Sequence, residues 1–193
     1  MATVVQKLVA FQRDELIRHL LQLSPQDRRL RFGMTMGDTV IEHYVKRIDF
    51  ARDKVFGIYE HDLTLTGAAH LALDMETDTA ELGLSVVPLQ RGKGYGHALL
   101  ARAKLHARNL AYKKLYMHCL AENRVMIHLA RKAGMTVVTE SGEADAHVML
   151  GDGPLTDYTK EAIHDQVALV DYLFKQQTRL LGRRPLKPVT PSG

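Results

Sequence analysis

The stretch that decides the fold is VVPLQRGKGYG, residues 86–96, which joins an apolar strand to a helix. Three glycines remove side chains where the N–H groups of a helix start are free: Gly92, Gly94 and Gly96. Arg91 and Lys93 add positive charge beside the positive end of the helix dipole. The stretch therefore predicts a turn whose backbone amides can bind a phosphate group.

The spacing of these glycines excludes two familiar phosphate-binding loops. No Gly-Lys-Ser/Thr follows four residues after a glycine, which excludes a P-loop, and G-x-G-x-G differs from the G-x-G-x-x-G of dinucleotide folds. Taken alone, the segment is also compatible with a glycine-rich turn whose basic side chains are simply solvated. The helices and strands predicted on either side of the turn help to decide between a phosphate-binding turn and a solvated one.

The residues before the turn predict helices followed by an antiparallel meander. A short strand within residues 3–11 leads into a first helix, Ser24 caps a second helix, and Asp38 caps a third. Three stretches rich in β-forming residues then follow: residues 55–59, 65–73 and 79–87. Downstream of the turn the pattern is helix, strand, helix and a closing pair of strands: residues 95–110, 115–120, 123–133, 135–139 and 146–150.

A helix is predicted over residues 157–181, and its apolar side chains share one face: Ile163, Val167, Val170 and Phe174. Two interpretations stay open at this point. The face covers the domain's own sheet, or it forms the interface of a homodimer.

Composition bounds the class of protein. The chain has 193 residues, of which 46% are hydrophobic and 25% charged, as in ordinary globular proteins. Its formal net charge of +4 is too mild to argue for nucleic acid, and no apolar run is long enough for a membrane span. Cys119 is the only cysteine, so no intrachain disulfide forms. We expect a cytoplasmic protein without nucleic-acid or membrane partners.

Two motifs give the chain a resemblance to a known family. Arg91-x-x-Gly94-x-Gly96 resembles the acyl-CoA signature of the GNAT N-acetyltransferase superfamily. Asn123, followed by LARKAGM at residues 129–135, is similar to the family's later helix. The order of elements over residues 3–150 also matches. Shorter phrases resemble bacterial protein-lysine acetyltransferase domains: residues 23–25, 30–32 and 129–132.

The resemblance implies an α/β fold, a single domain with a mixed, mostly antiparallel sheet that is splayed beside the glycine turn. We place this catalytic domain at residues 1–153, a C-terminal helix at 154–182 and a basic, proline-rich tail at 183–193. The cofactor implied is acetyl-CoA. Its pantetheine arm would pair with the backbone of Val86 and Val87, and Asn123 would contact the cofactor from the neighbouring element. Its pyrophosphate would be held by the amides of Arg91, Gly92, Lys93, Gly94, Tyr95, Gly96 and His97.

The resemblance also suggests which residues act as general base and general acid. Glu81, on the strand that leads to the turn, occupies a place where the family often has a general-base glutamate, although a glutamate facing water explains it too. Many relatives carry a thiolate-protonating tyrosine where this chain has Ala130. Tyr116, His118, Cys119 or a water molecule are the replacements.

No metal is expected, because the ten histidines show no His-x-x-x-His or His-Glu-x-x-His spacing. His70 and His147 are weaker candidates for lining the cleft. Three hairpin acids either attract a cationic amine or form a solvated turn: Asp74, Glu76 and Asp78.

The function predicted is transfer of an acetyl group from acetyl-CoA to a primary amine by direct attack in a ternary complex. The amine belongs to a small molecule, a protein lysine or an N-terminus. Two rivals stay open. One is a non-catalytic acyl-CoA-binding module, which Ala130 favours, and the other is a partner-docking protein.

Overall fold

A computed structural model describes residues 3–151 and 155–182 of the chain. The predicted tail at 183–193 lies outside the described residues. One sheet contains β1 (Gln6–Leu8), β2 (Lys54–Tyr59), β3 (Leu65–Asp74), β4 (Thr79–Val86), β5 (Lys114–Leu120), β6 (Thr136–Glu140) and β7 (Glu143–Met149). The helices are α1 (Arg13–Leu21), α2 (Pro25–Phe32), α3 (Asp38–Arg47), α4 (Tyr95–Asn109), α5 (Arg124–Lys132) and α6 (Leu155–Gly182).

The sheet has the strand order β1-β2-β3-β4-β5-β7-β6 and confirms the predicted mixed, mostly antiparallel topology. Among the strands of the described residues only β4 and β5 are parallel neighbours, and they pair over three residues, from Thr79 opposite Lys114 to Glu81 opposite Tyr116. Beyond that point β4 keeps its pairing with β3 but has no register with β5. The sheet is therefore split between two central strands.

The two faces of the sheet are covered by different helices. On one face α4 packs on β2, β3 and β4, and alternate β4 residues enter its core: Ala80, Leu82 and Leu84. On the other face α1 and α3 build a second core around Leu16, Leu20 and Ile41. α2 contacts both β4 and β5 and so lies across the gap between them. Gly83 and Ser85 of β4 face this second side by the alternation of a strand.

The capping predictions differ in outcome. Ser24 caps α2 as predicted, its hydroxyl accepting from the Asp27 N–H at 3.1 Å. Asp38 does not cap α3, because the N-cap residue is Gly37 and the Asp38 carboxylate accepts from Arg28 at 2.6 Å. An ion pair to a neighbouring helix thus replaces the expected cap.

The apolar face predicted for α6 is turned away from the domain. Ile163, Val167, Val170 and Phe174 are 50% to 67% exposed, so the interpretation of this face as a cover on the domain's own sheet is wrong. The helix docks through polar groups instead: the buried Arg102 of α4 pairs with Glu161 at 2.7 Å and with Asp165 at 2.5 Å. Homodimerisation through the exposed face stays a prediction.

This polar docking predicts that α6 is sensitive to acid. Burial alone would raise the pKa of Glu161, but hydrogen bonds from His106, Arg102 and Asn109 lower that pKa from 4.5 to about 2. A carboxyl whose pKa is depressed by folding stabilises the fold above pH 4.5, and this contribution, about 3 kcal/mol, is lost as the pH falls toward 2. Glu161→Gln should therefore have a lower melting temperature than the parent protein at pH 7, and this difference in melting temperature should be smaller at pH 3.

Thermal melts followed by circular dichroism at several pH values between 7 and 3 measure this effect. Glu140→Gln, which changes an exposed carboxylate on β6, is the matched control and should show a constant, small difference. Parallel pH curves for Glu161→Gln and the parent would contradict the role given to Glu161.

Candidate active site

A cleft of about 440 Å³ opens where β4 and β5 part, with walls from α2, β4, the glycine turn and α5. Most of the residues predicted to hold a cofactor line it: Val86, Arg91, Gly92, Gly94, Tyr95, Gly96, His97 and Asn123. Val87 and Lys93 do not line it. The fold thus gathers two distant motifs, residues 86–97 and Asn123, around one cavity.

The glycine turn presents a row of free amide donors to this cleft. Gly92 and Gly94 have φ values of 77° and 81°, a conformation that favours glycine. Within the described residues, no hydrogen bond uses the backbone N–H groups of positions 92–97, whereas Arg91 N–H donates to Pro88 and Ala98 N–H donates to Gly94. Six successive donors at the positive end of α4 form an anion-binding site that suits a diphosphate.

Among the described residues, the edge of β4 also offers backbone groups that no other strand pairs with, although the Val86 carbonyl accepts from Arg91. Val87 N–H donates to the Thr66 carbonyl at 2.9 Å, so Val87 is tied to the β3 side of the strand. The alternation of an antiparallel pair then directs the backbone groups of Leu84 and Val86 toward the open side, where β5 has moved away. An extended ligand can add to β4 there, through Leu84 and Val86 rather than through Val87.

Helix α2 is tied to both walls of the cleft. Asp27 of α2 accepts from Arg91 at 2.7 Å, and Arg91 also donates to the Val86 carbonyl at 3.1 Å. Burial would raise the pKa of Asp27, but the bonds from Arg91 and Ser24 lower it. On the opposite wall Asn123 caps α5 and donates to the Leu30 carbonyl of α2 at 3.3 Å. Asn123 therefore positions α2 and α5.

A chain of polar side chains crosses the other face of β4. His70 on β3 contacts the buried Asp53 through Nε2 at 3.2 Å and the Tyr44 hydroxyl through Nδ1 at 2.7 Å. Since Asp53 accepts, Nε2 carries the proton and Tyr44 donates to Nδ1. Burial, and then the charge of Arg31, lower the pKa of His70 against the opposing effect of Asp53. The ring is thus neutral at pH 7, and the chain ends in the Tyr44 hydroxyl beside Arg31.

A second buried pair lies at the boundary between this face and the cleft. His19 contacts the Leu65 carbonyl through Nδ1 at 3.0 Å and the Ser85 hydroxyl through Nε2 at 2.8 Å. Burial lowers the pKa of His19 to about 4, so the ring is neutral and accepts the serine proton. Ser85 lines both the cleft and a smaller cavity shared with Arg31, Tyr44, His70 and Gly83.

The predicted proton-transfer residues are placed less centrally. Glu81 is exposed, does not line the cleft, and pairs with Tyr116 at the last point where β4 and β5 are joined. Tyr116 and His118 are both bonded to Asp145 of β7, and burial raises the pKa of the Cys119 thiol. None of these three, nor His147, lines the cleft.

Ala130 is buried in the core. The hairpin acids belong to a solvated turn, in which Asp74 accepts from the Glu76 N–H at 2.9 Å. Within the described residues no group of three or more His, Cys, Asp or Glu side chains is placed to hold a metal ion. Over the same residues, no helix combines the length and apolar character needed to cross a membrane.

Known proteins resemble the chain in sequence pattern and in fold. Residues 15–135 match the model of the acetyltransferase (GNAT) family. The GNAT domain of S. lividans PAT superposes with a TM-score of 0.65 at 18% identity, covering 76% of this chain and 89% of that one.

Two further structures are similar. Spermidine N-acetyltransferase from Vibrio cholerae, in complex with CoA and spermine, superposes with a TM-score of 0.61 at 20% identity. The match covers 76% of this chain and 95% of that one. A phosphinothricin acetyltransferase from Sinorhizobium meliloti, in complex with AcCoA, superposes with a TM-score of 0.62 at 15% identity. The match covers 79% of this chain and 91% of that one. No curated protein sequence matches significantly.

Proposed function

Because the chain belongs to the GNAT acetyltransferase family, we propose that it transfers an acetyl group from acetyl-CoA to a primary amine by direct attack in a ternary complex. The observation that carries this proposal is the row of six unpaired amides at the start of α4, opening on the gap between β4 and β5. When bound, acetyl-CoA supplies an activated thioester. We place the catalytic unit at residues 1–153.

The chain's own groups suit this donor in number and type. The amides of positions 92–97 would hold the pyrophosphate, and the open edge of β4 at Leu84 would pair with the pantetheine arm. The Val86 carbonyl is held by Arg91, and the Val86 N–H at the end of this edge would stabilise negative charge on the acetyl oxygen. Arg91 itself is shared with Asp27, so it contributes to the shape of the turn as well as to its charge.

The acceptor amine must lose a proton, and two groups on the second face of β4 compete for that role. Glu81, at the point where the strands separate, would take the proton through a water molecule because it does not line the cleft. The Tyr44 hydroxyl, backed by His70 and Asp53, is the rival route. We assign the role to Glu81.

Protonation of the leaving thiolate falls to water rather than to a side chain. Tyr116 and His118 are engaged with Asp145, and Ala130 offers no proton. Ser85 lies on the cleft but donates its proton to His19, so its oxygen can accept a hydrogen bond and thereby position a water or the amine.

Release of free thiol from acetyl-CoA tests the proposal. The purified protein, incubated with a panel of primary amines, should release thiol only when an amine is present, and initial rates at varied concentrations of both substrates should give intersecting lines. Parallel lines with an acetylated protein intermediate would contradict direct attack. Tight binding of acetyl-CoA without thiol release from any amine would favour the non-catalytic binding module.

A further inference from the structure

Arg31 of α2 is a cation that has no anionic partner among the described residues. Its guanidinium donates to the Tyr44 hydroxyl at 3.4 Å and lies 4.8 Å from the centre of the Phe32 ring. The other arginines of α2 are paired, Arg28 with Asp38 and Arg29 with Glu122. Arg31 lines both the cleft and the smaller cavity behind it.

The position of this guanidinium is built into the fold. It lies over Gly83 of β4, where any Cβ atom would overlap it, so the glycine makes room for the cation. Tyr44 fixes it from α3 and is in turn held by His70. The site therefore has a cation held in a fixed position, and a guanidinium is the group that pairs best with a carboxylate.

No group in the immediate surroundings cancels the charge of Arg31. His19 and His70 face it as neutral rings, and its charge contributes to lowering the pKa of each. Asp53 is shared by Arg52 and His70, and Asp27 is held by Arg91. Glu81 lies on the same face of β4, two residues before Gly83 and so about 7 Å along the strand, and among the described residues it forms no ion pair with Arg31.

We propose that Arg31, held in place by Tyr44, binds a carboxylate carried by the acceptor, so that the substrate is an amino acid or a related amine with a nearby carboxylate. The proposal rests on the proposed function. The distance of about 7 Å along β4 between Glu81 and Gly83, over which the Arg31 guanidinium lies, suits such a molecule. The amine would face Glu81 while the carboxylate pairs with Arg31. A polyamine, which carries only positive charge, would be repelled at this point.

The same carboxylate chemistry has a second source, an acyl group that is itself acidic. The two sources are separable by varying one substrate at a time. Matched acceptors that differ only in the carboxylate are L-phenylalanine and phenethylamine, or L-lysine and cadaverine, each with acetyl-CoA. Matched donors are succinyl-CoA and acetyl-CoA, each with phenethylamine.

The expected result is a preference of about 10- to 100-fold in kcat/KM for the acceptor that carries the carboxylate, as one charge-assisted pair provides. Arg31→Gln should abolish this preference, and Arg31→Lys should restore part of it because it keeps the charge without the fork. Gly83→Ala should weaken the preference as well, since its methyl group displaces the guanidinium while leaving the arginine in place. Melting curves check that each variant is folded.

Calorimetric titration of L-phenylalanine into the CoA complex measures the same site without turnover, and Arg31→Gln should abolish that binding. Acetylation of plain amines at rates independent of Arg31 would overturn the carboxylate site and leave the proposed function standing. Binding that depends on Arg31 but is not followed by acetylation would support the carboxylate site and contradict the proposed function. A preference for succinyl-CoA that depends on Arg31 would overturn the acceptor assignment, and absence of any Arg31-dependent binding or rate would overturn the site altogether.

Discussion

Glu81→Gln should lower turnover about 100- to 10,000-fold at neutral pH, the usual contribution of a general base. Glutamine keeps the shape and the hydrogen bonds of the side chain but cannot accept a proton. Binding of acetyl-CoA should change little, because Glu81 lies outside the cleft that the glycine turn and Asn123 line. The residual rate would depend on amine already deprotonated in solution, so it should keep rising at alkaline pH where the parent protein levels off.

Matched variants separate Glu81 from its competitor. Glu76→Gln changes another exposed carboxylate, in the β3–β4 hairpin, and should leave the pH–rate profile unchanged. Tyr44→Phe and His70→Gln interrupt the rival chain of hydrogen bonds. A large loss in those two variants, together with a normal profile for Glu81→Gln, would transfer the base role to Tyr44.

The glycine turn could be predicted from sequence because its determinants are local. Gly92 and Gly94 adopt positive φ angles at the start of α4, and the strand before and the helix after them are set by neighbouring residues. The split between β4 and β5 followed from the family resemblance and is a property of the strand pairing.

The polar groups on the second face of β4 could not be predicted in the same way. These groups lie on four separate elements, at no regular interval in the sequence: Arg31 on α2, Tyr44 on α3, Asp53 in the loop before β2, and His70 on β3. They meet because the β3–β4 register sets His70 opposite Gly83, which leaves room for Arg31. His19 carried a weak signal, since it lies among the buried leucines of α1, but its partner Ser85 is 66 residues away.

Helix α6 shows why an apolar face alone does not reveal which side of a helix is covered. The pattern correctly marks Ile163, Val167 and Phe174 as one face, yet the domain binds the opposite side. That side carries few apolar groups, among them Ala168 and Tyr172, and its charged Glu161 can be buried because Arg102 and His106 of α4 pair with it. A pattern within one segment contains no information on such a partner.

Gly94→Val should weaken the binding of acetyl-CoA about 10- to 1,000-fold, equivalent to the loss of one or two hydrogen bonds to a charged group. Its φ angle of 81° lies in the left-handed region, where a β-branched side chain is strained. Apart from its two chain neighbours, no atom of the described residues lies within 4 Å of the position its Cβ would take, so the strain is conformational rather than a clash. The chain would relieve it by rotating the peptides that aim the amides of positions 94–96 at the pyrophosphate.

Gly134→Val is the control that separates this local effect from general destabilisation. Gly134 follows the C-terminal end of α5 with a φ of 79° and does not line the cleft. Its Cβ position also has no atom of the described residues within 4 Å, its two chain neighbours apart. Both variants should lose about 1–2 kcal/mol of folding free energy, while only Gly94→Val loses affinity in calorimetric titration with acetyl-CoA. Equal affinities in the two variants would show that the amides of the turn do not hold the cofactor. If Gly94→Val alone binds weakly, the row of free donors at the start of α4 is the group that selects a diphosphate-bearing ligand.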